Sequence, residues 1–466
     1  MFADDQLGIE SKSKNPSVLC KTYVWSVLME PLLLFIVAFP IFGVAISISK
    51  FLQLMVLLIL GLRFLVVRNH VFFARIPAVY KKYFHYLIFA LCSYCYGIYT
   101  EVYISDHYTF SESLPTFVYR PIFEYGIILY YFLYYVMLAN YFLKTPRAIN
   151  YFFKIFKFTF FLTLSIGFLD LALIYMSGGA FEGLPRHLSD MRLPGNRFHG
   201  LAGEPRDAFI YLILGLSMLA LKDIWLNERK LTKPIFFMIV TAMILTQSFS
   251  GLLGLLFSVV LLMMFFLSFT SVSRLIGALS AIVLMVLIIF VGVEMSPRIQ
   301  LYIEAFYDLY QTLSAGEEVA SILSVSMNNI SPVWHRVSEV LEFDILGLLV
   351  GTGLGSASAV TNNYLGTNEI ANPNANIIRL IFETGLIGTW LIIQAFLKPI
   401  KTSIPYKKDR SKMLFYMLIL LGAFFAHRSV TPFIFLGALL VVFQNKRFFV
   451  RGRIERSESS SGSPML

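Results

Sequence analysis

The chain is poor in charge and in cysteine. Asp, Glu, Lys and Arg supply 14% of its 466 residues against 57% hydrophobic residues, and mean hydropathy is +0.72. A water-soluble domain of this length cannot cover its surface with so few charges. Lipid is therefore the solvent for most of it. The three cysteines, Cys20, Cys92 and Cys95, exclude a disulfide-built fold, because no polar loop holds a pair to bridge. Cys92-x-x-Cys95 lies in an apolar run, where cysteines packed between helices are far commoner than redox or metal pairs. The first thirty residues lack the basic start, short apolar core and small-residue cleavage site of a secretory signal. No stretch of soluble-domain character separates the apolar runs. One transmembrane domain is predicted over 31–444, between polar tails at 1–30 and 445–466.

Apolar runs long enough to cross roughly 30 Å of hydrocarbon are placed near 31–49, 51–67, 84–104, 121–143, 155–177, 207–221, 234–249, 251–270, 275–294, 374–396, 413–427 and 432–444. This gives an all-α polytopic membrane protein of about 12 transmembrane helices. The formal charge of +10 matters by position rather than by sum, and it calls for no nucleic-acid partner. With the N-terminus in the cytoplasm, cytoplasmic segments hold 27 Lys and Arg and the opposite side nine. That bias predicts both termini inside. The basic clusters at 398–412 and 446–456 are then topology signals facing anionic headgroups.

Two outer loops depart from the pattern of short connectors. Loop 178–206 carries four Arg and no Lys. Loop 295–373 contains three stretches with helical periodicity, at Arg298–Leu313, Val319–Met327 and Trp334–Phe343, predicted to be short amphipathic helices on the membrane face. All basic residues in these loops are Arg, whose planar fork grips phosphate or carboxylate at two points. Either phosphate binding or pairing with Glu182, Asp190, Glu204 and Asp207 accounts for them. The Gly351-Thr-Gly353-Leu-Gly355 segment reads as a tight turn, with a phosphate-binding role for its backbone N–H groups as the alternative. Arg379 and Glu383 stand four residues apart inside a span, where ionisable groups face an interior or a cavity.

Spacing sharpens the picture. Ten residues separate Arg192 from Gly203, and ten separate Arg336 from Gly347, within RLPGNRFHGLAGEPRDAF (192–209) and WHRVSEVLEFDILGLLVGTGLGS (334–356), followed by NPNANIIRLIFETGLIGTW (372–390). Here the chain resembles the bacterial membrane proteins that polymerise or ligate surface glycans, most closely the Wzy-type O-antigen polymerases of the O-antigen ligase and polymerase superfamily. Arg-ten-Gly spacings in two large periplasmic loops belong to that family. The resemblance covers roughly 192–390, together with the topology of the whole chain.

The resemblance implies inverting glycosyl transfer on undecaprenyl-pyrophosphate-linked oligosaccharide at the periplasmic face of the inner membrane. A chain-length-regulating co-polymerase is an implied partner, and no cofactor is. The leaving pyrophosphate needs its growing charge neutralised, by a metal or by Arg. Neither outer loop has an Asp-x-Asp spacing, so Arg without metal is the expectation. By resemblance, Arg197 and Arg336 carry this role. Arg192, Arg206, His199, His335 and Arg379 are further substrate-binding candidates. Glu204, in Gly203-Glu204-Pro205 beside those Arg, is the candidate general base, and starting the next helix as an acidic N-terminal residue is its alternative role. Two departures bear on the branch of the family. Asn374 stands where the ligase branch has His, which favours polymerase over ligase, and Ser248-Phe249-Ser250 replaces the Ser-Arg that often opens the eighth span. The competing class is a lipid-linked oligosaccharide flippase or other transporter, which would show repeated halves and ionisable groups in broken helices.

Overall fold

The computed structural model describes residues 16–32, 36–41, 44–67, 80–99, 114–178, 197–226, 232–266, 345–357 and 376–461. The fold is overwhelmingly helical. In chain order the elements are α1 Val18–Leu28, β1 Ile36–Ile41, β2 Val44–Ser47, α2 Ile48–Val67, α3 Lys81–Tyr99, α4 Leu114–Tyr131, a π-helical stretch Phe132–Met137, α5 Leu138–Phe142, α6 Pro146–Met176, a 3-10 turn Gly200–Ala202, α7 Pro205–Leu226, α8 Lys233–Leu245, α9 Phe249–Phe266, α10 Ile345–Val350, α11 Asn376–Ser403, α12 Lys407–Ala426 and α13 Thr431–Ser461. Four helical segments among the described residues are long and apolar enough to cross a membrane: Pro121–Phe142, Pro146–Met176, Pro205–Leu226 and Asn376–Ser403. Val18–Leu28, Lys233–Leu245, Ser250–Phe265 and Thr431–Lys446 are shorter apolar helices.

Helix occupies each predicted span within the described residues except the first. At 31–49 the chain forms a β-hairpin instead, with β1 antiparallel to β2 and Ile36 opposite Ser47. Apolar content alone does not choose a helix. Pro40 and Gly43 oppose one, and β-branched Ile36, Val37, Ile41, Val44 and Ile46 favour extended backbone. The predicted span 275–294 and the three amphipathic stretches of loop 295–373 lie outside the described residues.

The chain divides into two compact units, each assembled from separate stretches. One contains 1–75, 133–246 and 433–466, the other 76–132 and 247–432. In the first unit, α6 is started by Thr145, whose hydroxyl accepts from the Ala148 N–H at 3.3 Å, and by Pro146, which fits the first helical turn. It packs on α1, α8 and the 3-10 turn, while α7 packs on α8 and the same turn. The core is aromatic: Phe156 and Phe160 stack at 5.7 Å, and Tyr211 of α7 meets Phe160 at 5.8 Å. In the second unit, α9 lies along α12, and α11 packs on α3, α10 and α12. The apolar windows of α7 and α11 are 72% and 67% buried, against 44% for the other two long segments. These two are the most enclosed of the four long segments.

Candidate functional site

In the second unit a charge cluster is built from α4, α11 and the segment between α12 and α13. Glu124 bridges two guanidiniums: its Oε1 lies 3.0 Å from Arg379 Nη2, and its Oε2 accepts from Arg428 Nη1. Arg379 Nε donates to Glu383 Oε1 at 2.8 Å, one turn along α11. Arg428 also lies over the Tyr131 ring at 6.0 Å, within cation–π range. Two Arg and two Glu make a neutral set, the condition under which buried charges are tolerated. Side-chain exposure falls from 21% at Arg428 to 10% at Glu124, 9% at Arg379 and 3% at Glu383. The cluster is therefore approached from the Arg428 end.

One donor remains in it. Among the described residues, Arg428 Nη2 has no hydrogen-bond acceptor, whereas the fully buried Tyr86 hydroxyl reaches the Thr384 side chain. Arg379 Nη2 is close to Glu124, yet its N–H directions miss hydrogen-bond alignment there. Tyr86 sits on α3, which packs along α11, and is within electrostatic reach of Glu383, Arg428 and Arg379. An enclosed guanidinium N–H without an acceptor suits an anionic ligand.

Beside the cluster, α11 is broken. Gly385 adopts φ +63° and ψ −178° inside the helix, a conformation closed to L side chains, and a Cβ there would strike the Leu349 carbonyl. The turn after α10 fills the break. The N–H of Thr352 donates to Phe382 O at 3.0 Å and that of Gly353 to Glu383 O at 2.7 Å. Gly351, Gly353 and Gly355 all have positive φ, so the tight turn expected at 351–355 forms. The N–H groups of Thr352 and Gly353, however, close the broken helix. Ser93 of α3 donates to Val350 O at 2.6 Å, at the end of α10 just before the turn. Non-helical backbone among long apolar helices is tolerated where protein satisfies it, and here it does.

The first unit holds the predicted loop candidates. Arg197 Nε donates to Thr246 O at 3.0 Å, where α8 ends, and the Phe198 N–H donates to Leu245 O at 2.8 Å. A cation at a helix C-terminus is favourable, so Arg197 ties its loop to α8. His199 is wholly buried. Its Nε2 is 2.9 Å from Asp170 Oδ2 on α6, and its Nδ1 is 3.0 Å from Gly200 O. Enclosure makes His199 a positioning residue for the loop. Gly200, at φ +54°, lets that loop touch α6 where a Cβ would come within 2.7 Å of Thr163 O. Glu204 accepts from Arg206 Nε at 2.7 Å, and both side chains are partly exposed. The Glu204 carbonyl takes the Ala208 N–H at 2.9 Å, so Glu204 also begins α7.

Of the predicted site residues, Arg197, His199, Glu204 and Arg206 thus gather in one unit and Arg379 stands in the other. Arg192, Arg336 and His335 lie outside the described residues. The glycines that end the two Arg-ten-Gly spacings are described: Gly203 turns at φ +83° before α7, and Gly347 accepts from the Gly351 N–H at 2.7 Å. Reading the loops missed Glu124, Arg428, Tyr86 and Asp170. Glu124 and Asp170 carried the signal used for Arg379, an ionisable group inside an apolar run. Among the described residues no three His, Cys, Asp or Glu side chains gather as metal ligands do. Compared with known proteins, the chain matches no protein-family model, no curated protein and no solved structure.

Proposed function

We propose that this protein polymerises undecaprenyl-pyrophosphate-linked oligosaccharide repeat units into O-antigen or a related surface polysaccharide, by inverting, metal-independent glycosyl transfer at the periplasmic face of the bacterial inner membrane. The observation that carries the reading is the guanidinium pair of Arg379 and Arg428, held together by Glu124, with Arg428 Nη2 still lacking an acceptor. Two preorganised guanidiniums match a leaving pyrophosphate, on which charge grows in the transition state. The Lys and Arg bias gives a layout of about twelve spans with both termini cytoplasmic and the loops 178–206 and 295–373 on the outer face. In the reaction, the acceptor sugar hydroxyl oxygen bonds to the donor anomeric carbon. The bond from that carbon to the pyrophosphate oxygen breaks, and its electron pair leaves with the lipid pyrophosphate. The hydroxyl proton passes to Glu204. Arg197 and Arg336 retain the charge-neutralising role that the resemblance gives them, with Arg192, Arg206 and His335 as supporting contacts.

The test is the glycan of cells lacking the protein. Lipopolysaccharide capped by a single repeat unit is expected, because transport and ligation continue while polymerisation stops. A specific observation favours a second reading, a lipid-linked oligosaccharide flippase: α11 is broken at Gly385 beside buried charges, as in helices that line transport sites. Uncapped core without polymer in the deletion strain would select that reading. Uncapped core with polymer accumulating on the lipid carrier would select a ligase.

A further inference from the structure

A groove of about 700 Å³ runs between α6 and α7 in the first unit, lined by none of the site residues assigned above. Lys154, Lys157 and Lys222 line it, and no Asp or Glu does. Along α6 the lining changes from Lys154 and Lys157 to Phe158 and Phe161, so charge gives way to aromatic rings within about two helical turns, roughly 10 Å. Phe158 is 57% exposed, and Lys157 Nζ lies 5.8 Å from the centre of the Phe161 ring. On the α7 side Trp225 faces the groove and is fixed by its indole N–H, which donates to Asn150 Oδ1 at 2.8 Å. Lys446 of α13 donates to Ile224 O, bringing a fourth cation to this end of α7.

We propose that this groove is a binding site for an anionic glycerophospholipid. Its phosphate would lie among Lys154, Lys157 and Lys222 and its upper acyl chain along Phe158 and Phe161, with Trp225 at the boundary. Charge complementarity selects the head: three ammonium groups with no lining carboxylate repel a cationic headgroup and leave a zwitterionic one half matched. The exposed rings select the tail, since a free phosphate has no use for them. An indole fixed at one end of an apolar slot is at home where headgroups meet hydrocarbon. The inference rests on the membrane reading and is independent of glycan polymerisation.

Purified full-length protein in nanodiscs tests it through tryptophan fluorescence. Phosphatidylglycerol or phosphatidylcholine brominated on the acyl chain is titrated in, and the Trp225 contribution is taken by difference from Trp225→Phe. Phosphatidylglycerol is expected to quench Trp225 at several-fold lower mole fraction than phosphatidylcholine. Each lysine changed to Gln should weaken that preference, and the triple Gln variant should abolish it, since basic residues near an anionic headgroup supply the attraction. The triple Lys→Arg variant should keep the preference and show that the fold survives. Equal quenching by the two lipids, or an unchanged preference in the triple Gln variant, overturns the proposal. So does displacement by millimolar inorganic phosphate, which would mark a site for the free anion.

Discussion

The two units hold their arginines in different ways. In the cluster of Glu124, Arg379, Arg428 and Glu383, charge is held by charge, away from water. In the 197–206 loop, Arg197 is held by a helix-end carbonyl and Arg206 by a partly exposed carboxylate. Enclosed, mutually dependent charges are costly to disturb, because removing one strands the others. A cation on a helix-end carbonyl beside water is replaceable as far as folding goes. An arginine retained there for folding alone should tolerate lysine, so intolerance would expose a chemical duty.

The largest effect should come from breaking the enclosed set. Glu124→Ala leaves Arg379 and Arg428 without their shared carboxylate, and breaking a buried pair in this way costs about 3–5 kcal/mol. Thermal unfolding of the purified protein in detergent should fall steeply, and cellular abundance with it. An unchanged unfolding temperature would mean that Glu124 does not hold these helix ends together.

Next come the substitutions that separate folding from chemistry. Arg197→Lys, Arg336→Lys and Arg428→Lys keep the charge and lose the planar two-point grip. At matched abundance each should polymerise about 100- to 1000-fold more slowly, the usual loss when one preorganised transition-state donor is removed, and Arg197→Lys should accumulate to wild-type level. Glu204→Gln should slow transfer while sparing donor binding, and Arg298→Lys should be nearly silent. The readout is turnover of purified lipid-linked substrate at matched protein abundance. Wild-type turnover in all three Arg variants would leave the guanidinium mechanism without support.

Much of this contrast was legible in the sequence, though unevenly. Arg379 and Glu383 sit four residues apart in a span, and their ion pair at 2.8 Å follows from helical spacing. Glu124 and Arg428 are separated by 304 residues, and nothing local in either segment names the other. The hairpin at 36–47 was hidden for another reason: hydropathy reports the solvent a segment prefers and is silent on its backbone. The turn at 351–355 was readable from its glycines, whereas the acceptors for its N–H groups depended on a break in α11 that one glycine, Gly385, makes possible.

A smaller effect sharpens the other side of the comparison. Asp170→Ala removes the carboxylate beside enclosed His199. Loss of a buried polar partner costs about 1–3 kcal/mol, so the unfolding temperature should drop by less than in Glu124→Ala. Polymerisation should fall only as far as the 197–206 loop shifts. A loss of turnover as deep as that of Arg197→Lys, at equal abundance, would show that Asp170 acts in the reaction itself.

The seam between the 351–355 turn and the break in α11 is made of main chain, and this governs how the region opens. The Thr352 and Gly353 amides are bonded to carbonyls of a buried helix, so they are released to solvent only when the turn and that helix separate. In deuterated buffer these two turn amides should exchange as slowly as the interior of α11, and together rather than one by one. Turn and helix then form a single cooperative opening unit, whose hinge is Gly385.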